Sequence, residues 1–189
     1  MVRTSALTAA ILVGLAACGN GEPPPPPADA PDQPAAAPGE LSMPAWMDVD
    51  HDAETVSIHL VAGETSANNY WNFNGIYGGD GQVTVPVGYE VTITLTNEDP
   101  AMGHSVGVGA LEASYPNQFA EVVPIFDGAV TSNPRSMTES TLPGEEESIT
   151  FVADQAGDFA LICYVTGHAA TGMWIPFTVS AEGEVGAHM

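Results

Sequence analysis

Tyr89-Glu90-Val91-Thr92-Ile93-Thr94-Leu95-Thr96 alternates one apolar or aromatic residue with one polar residue over eight positions. That period of two is the pattern of a β-strand with one face in a core and one face outside. Shorter runs of the same character lie at 55–61, 82–87, 148–152, 159–164 and 174–179. Clusters of turn residues separate them, among them Gly78-Gly79-Asp80-Gly81, Asn97-Glu98-Asp99-Pro100 and Leu142-Pro143-Gly144. Many short strands without intervening helices of any length predict an all-β fold, an antiparallel sandwich of two sheets. The stretch 110–140 is the exception. It reads as a loop with one short strand or helical turn around 119–126.

Outside this region the chain changes character. Arg3 is followed by the apolar stretch Ala6 to Leu15, too short to span a bilayer, and then by small residues. Leu15-Ala16-Ala17-Cys18 has the form of a bacterial lipobox, so residues 1–17 read as a lipoprotein signal and Cys18 as the lipidated first residue of the mature chain. Residues 18–52 then read as a linker, with the run Pro23 to Pro27 favouring an extended polyproline conformation. The folded domain is expected over 53–182 and a short tail over 183–189. These segments lead to the expectation of an exported protein, lipid-anchored to the outside of the cytoplasmic membrane or to the periplasmic face of a bacterial membrane.

The charge narrows the partners. There are 24 acidic side chains, Arg3 and Arg135 as the only Lys or Arg, and a net charge of −22. Nucleic acid and an anionic bilayer surface are disfavoured as partners, since both attract basic chains. A basic protein partner fits better than either, and an acidic surface that only keeps the protein soluble in acidic or salty surroundings fits the composition equally well. The domain is expected to be a monomer.

With Cys18 committed to lipid, Cys163 is left unpaired in an oxidising compartment, where a metal is an apt protective partner. The residues around it supply one. Leu161-Ile162-Cys163-Tyr164-Val165-Thr166-Gly167-His168-Ala169-Ala170-Thr171-Gly172-Met173-Trp174 presents a thiolate, an imidazole and a thioether in order, with four residues between each pair. An ion that cycles between Cu(I) and Cu(II) needs soft and borderline donors together, which two His and a Cys with a weak axial Met provide. Zinc is disfavoured by the thioether. His104 is the expected second imidazole, because it follows the Pro100 to Gly103 turn and opens a short strand at 105–108. His51 lies in an acidic segment, His59 in mid-strand and His188 beside the terminus. Ser105 is a candidate hydrogen-bond donor to the thiolate. The His168 edge is expected at the surface, within an apolar patch of Ala169, Ala170 and Met102, and Trp174 beneath the loop.

The motif Cys163-x₄-His168-x₄-Met173, with Gly167-His168-Ala169 and Gly172-Met173-Trp174, resembles the cupredoxins, and more closely their sulfocyanin and rusticyanin branch. Asn72-Phe73-Asn74-Gly75, Val83 to Gly88, and Val91 to Asn97 leading to Gly103-His104-Ser105 extend the resemblance to roughly 55–180. It implies a cupredoxin-like Greek-key β-sandwich and one type 1 copper held by His104, Cys163, His168 and Met173. It also implies single-electron transfer between respiratory redox partners, such as a cytochrome or a terminal oxidase, and no enzymatic activity. Sulfocyanins are best known as archaeal membrane-anchored proteins, whereas the lipobox points to a bacterium. A copper nitrite reductase or multicopper oxidase would need a further copper centre, and five histidines are too few for it. Copper delivery or storage would call for a site that opens easily.

Overall fold

The structure, a computed structural model, describes residues 41–188. The signal segment, Cys18 and the proline run lie outside the described residues. Nine strands follow one another: β1 Met47–Asp50, β2 Thr55–Ala62, β3 Gln82–Pro86, β4 Glu90–Asn97, β5 Gly107–Ala110, β6 Glu146–Val152, β7 Gly157–Ile162, β8 Trp174–Ser180 and β9 Gly186–His188. One sheet runs in the order β1-β2-β4-β6 and the other β5-β7-β8-β3-β9. The described residues include two short 3₁₀ turns and no α-helix.

The alternation read at 89–96 is realised in β4, where Val91, Ile93 and Leu95 are wholly buried and the threonines between them are half-buried. The same rule places Val56, Ile58, Leu60 and Ala62 of β2 inward, and Ile93 lies opposite both Ile58 and Ile149 in the register. The inner faces of the two sheets, with Phe73, Phe151 and Phe177, form one core. Most pairings are antiparallel, as expected. β2 with β4 and β3 with β8 are parallel, so both sheets are mixed.

Strand pairing reaches past the expected limits of 53 and 182. β1 lies within the stretch read as linker, and Met47 is 5% exposed in the core. Two of its four residues are aspartates, which strands disfavour, and so its pattern is masked. β9 pairs with β3 through Gln82↔His188 and Thr84↔Gly186, and Ser42 bridges to Ala187.

β7 is buried on both sides. Phe159, Leu161 and Cys163 enter the main core, while Ala160, Ile162 and Tyr164 face a second cluster. The covering residues are Tyr115, Phe119 and Val122. The long 110–140 segment is therefore an irregular cover over the outer face of this sheet, and no strand or helical turn forms at 119–126. Arg135 fastens it by donating to the carbonyls of Phe119 and Ala120. Gly107 and Gly109 leave room for Tyr164, whose ring would collide with a side chain at either position.

Candidate metal centre

The chain leaves β7 at Ile162 and enters β8 at Trp174, and the loop between carries three of the four expected donors. The Cys163 N–H donates to the Met173 carbonyl at 3.1 Å and the Met173 N–H to the His168 carbonyl at 2.9 Å. Residues 169–171 form a 3₁₀ turn, ended by Gly172 at φ 105°. This places His168 and Met173 back beside Cys163. His104 arrives from the other side, pinned by a two-bond bridge to Thr141 in which each N–H donates to the other's carbonyl at 3.0 Å. It precedes β5, and the strand expected at 105–108 begins two residues later, at Gly107.

All four side chains are fully buried. Nδ1 of His104 is 3.2 Å from Nδ1 of His168, and Sγ of Cys163 is 3.8 Å and 3.4 Å from those two atoms. The sulfur of Met173 lies 3.1 Å from Nδ1 of His104. A triangle with these three edges has its centre about 2.0 Å from each corner, the length of a metal–nitrogen bond and about 0.3 Å short of a metal–thiolate bond. Two imidazole nitrogens, a thiol and a thioether, closed off from water, fit a copper ion.

Electrostatics prepares both rings. Nε2 of His104 is 2.9 Å from Oδ2 of Asp99. The ionised carboxylate has no proton to give, so Nε2 carries the hydrogen and Nδ1 turns its lone pair to the centre. Burial lowers the His104 pKa below its ordinary value, while Asp99 pulls it upward. Burial acts to raise the Asp99 carboxyl, but hydrogen bonds from His104 and from the N–H groups of Ala101 and Met102 hold it below the usual range. His168 is pushed down to about 3, by burial first and by its neighbour His104 second. Burial drives the Cys163 thiol up to about 11 against the hydrogen bonds from Ser105 and Val165. Both imidazoles are thus neutral ligands, and the thiol must lose its proton to a metal.

Ser105 stands where the sequence reading expected it. Its hydroxyl donates to Sγ of Cys163 at 3.8 Å and accepts the Tyr164 N–H at 2.9 Å. In the sequence Asp99 shows only as part of a turn. Asn97, at the end of β4, accepts the Asp99 N–H and donates to the carbonyls of Met102 and Thr141, and this ties the turn to the His104 bridge. The short polar run Asn97-Glu98-Asp99-Pro100, five residues before an expected ligand, was the signal for it.

The expectation of an exposed His168 is overturned. His168 is 0% exposed, because the Trp71 ring lies flat on the imidazole, with centroids 4.2 Å apart and planes 18° from parallel, and Ala169 is buried in the outer cluster with Tyr164. Trp71 follows three residues in the left-handed region, Asn68, Asn69 and Tyr70, at φ 48°, 59° and 66°. Such a conformation costs roughly 1–2 kcal/mol per residue, less for Asn. Asn68 Nδ2 holds the turn by donating to the Trp71 carbonyl at 2.8 Å, and buried Asn72 donates to the carbonyls of Thr65 and Ala67. Trp174 packs edge-on against Tyr115 at 5.3 Å, in the outer cluster. The other histidines stand apart: His59 points outward from β2 to Thr96, His51 contacts Tyr89, and His188 lies in β9.

The family described as "Sulfocyanin (SoxE) domain" matches residues 42–186. The chain is similar to a sulfocyanin of Sulfolobus acidocaldarius, 31% identical over 133 residues, which are 67% of this chain and 64% of that protein. Among solved structures, reduced rusticyanin is 22% identical, with 71% of this chain and 88% of that one covered and a TM-score of 0.46. Reduced auracyanin from Roseiflexus castenholzii is 22% identical, with 66% and 96% covered and a TM-score of 0.45. The chain belongs to the sulfocyanin domain family, within the cupredoxins, whose members hold one type 1 copper.

Proposed function

We propose that this protein is an exported, lipid-tethered carrier of single electrons in which His104, Cys163, His168 and Met173 hold one copper ion. The observation that carries the reading is the buried triangle of Nδ1, Nδ1 and Sγ, with edges of 3.2, 3.4 and 3.8 Å and a thioether beside it. Copper bound there supplies a one-electron couple. The chain supplies a fixed donor set. His104 is held by Asp99 and by the Thr141 bridge, and Cys163 and Met173 are joined through backbone bonds across one loop. Ligands locked by packing and hydrogen bonds move little when the charge of the site changes, which keeps the cost of each transfer low. The Ser105 hydroxyl withdraws charge from the thiolate and favours the reduced form.

A second metal centre, as an enzyme of the nitrite reductase kind needs, finds no support in the remaining histidines. Among the described residues one cluster of candidate metal-binding side chains occurs, His104, Cys163 and His168. Its burial also argues against delivery or storage, where release must be easy.

The proposed partner is a basic redox protein, a cytochrome or terminal oxidase in the same membrane. The net charge of −22 supports it, and the lipobox ending at Cys18 with its proline-rich stretch supports the tether. The test is optical. Adding Cu(II) to the metal-free protein is expected to produce an intense thiolate-to-copper band with reversible one-electron redox behaviour and no nitrite turnover, and Cys163→Ser to abolish the band. A colourless wild type overturns the reading. Cys18→Ser should move the full chain from the membrane fraction to the soluble one.

A further inference from the structure

Building on the copper-carrier reading, we infer that Trp71 positions His168 and is the surface through which the electron leaves, so that the partner protein touches the indole and not the imidazole. His168 has no exposed edge to offer. Trp71 lies flat on it and is itself only partly buried. The left-handed turn at Asn68, Asn69 and Tyr70 stores strain at the place that delivers the indole, as backbones do where position matters more than ease.

The charge pattern selects the same face. Residues 65–79, 113–120 and 159–181 contain no Asp, Glu, Lys or Arg, in a chain with 24 acidic side chains. The fold brings these three stretches together. The Gly78 N–H donates to the Gly172 carbonyl at 2.6 Å, and the Gly167 N–H to the Asn117 carbonyl at 2.7 Å. Carboxylates resist being stripped of water, so close contact is cheapest on an uncharged patch, while the acidic remainder steers a basic partner from a distance. The partner that fits carries an uncharged contact patch over its own one-electron centre, with cations around the rim. In the transfer one electron leaves the reduced site and enters the acceptor's centre. Trp71 ends in the oxidation state in which it began, no bond forms or breaks, and no proton moves.

The test has two arms. In metal-free protein, diethylpyrocarbonate labelling read by peptide mass spectrometry should spare His168 in the wild type and in Trp71→Phe but modify it in Trp71→Ala, with exposed His51 and His59 as internal standards. In copper-loaded protein at high salt, electron self-exchange between reduced and oxidised copies, read from NMR line widths, should fall about tenfold or more in Trp71→Ala as a packed contact becomes a gap. Trp71→Phe should restore it. Should Trp71→Ala fail to fold, Asn68→Gly keeps the left-handed conformation, loses the bond to the Trp71 carbonyl, and should expose His168 to label. Equal labelling of His168 in all variants, or unchanged self-exchange with the copper band intact, overturns the inference. A wild type without the band defeats the copper reading itself, whereas the metal-free arm judges Trp71 alone.

Discussion

The Asp99 carboxylate accepts a 2.9 Å hydrogen bond from Nε2 of His104, while Nδ1 of the same ring faces Cys163 and His168. One carboxylate thereby sets the tautomer, the orientation and the basicity of a ligand that no other side chain holds at Nε2. This hydrogen bond between a neutral imidazole and a carboxylate is buried at both ends.

Asp99→Asn keeps an acceptor for Nε2 but removes the negative charge. A less basic imidazole and a less negative surrounding both favour the reduced form, so the redox potential should rise. Affinity for Cu(II) should fall by about 10–100-fold, as is usual when a ligand's supporting partner is lost. Potentiometry and competition titration measure the two effects, and a lowered potential would contradict the assigned role.

Ser105→Ala removes the hydroxyl that lies 3.8 Å from Sγ of Cys163. The thiolate becomes more electron-rich, which stabilises the oxidised form. A lower potential and a shifted thiolate-to-copper band are expected together. If both stay where they were, Ser105 has no part in tuning the site.

Copper binding should depend on pH through the thiol alone near neutrality. Burial holds the Cys163 thiol at about 11 and His168 at about 3, and His104 is also below its ordinary value. The metal therefore displaces one proton, from sulfur, and none from the imidazoles. Apparent affinity should rise about tenfold for each unit of pH across the neutral range. A competition titration at several pH values reads the slope, and a slope near zero means that the thiol is already ionised in the metal-free protein.

Phe177, in the middle of β8, is wholly buried and meets Phe151 edge-on at 6.3 Å. Phe177→Ala should cost about 3–5 kcal/mol, from lost contacts and the cavity left behind. For a domain of this size that is a fall in Tm of roughly 10 °C. The copper band should survive at room temperature, because Phe177 lies four residues beyond Met173 in β8, opposite Val83 and Phe159 in the register, and is not itself a donor. Calorimetry and the spectrum separate the two readouts.

Much of the molecule was legible along the chain because the relevant forces act locally. The alternation at 89–96 is a property of consecutive residues, and β4 obeys it side chain by side chain. Cys163, His168 and Met173 share one loop, so their spacing alone brings them near each other. His104 stood out because the other histidines sat in strands, acidic stretches or at the terminus. β1 and β9 were hidden, being three or four residues long with aspartates or a glycine that mask any period.

Tertiary structure decided what depends on distant contacts. Trp71 and His168 are 97 positions apart, and nothing near either one announces that an indole will lie flat on the imidazole and seal it from water. The parallel pairing of β2 with β4 and of β3 with β8 is likewise set by which apolar faces meet across the sandwich. By itself the sequence determined which atoms can bind copper, since donor chemistry belongs to residue type and short spacing. Only the packed fold decided which of those atoms water and a partner can reach, because burial is a property of all the surrounding residues at once.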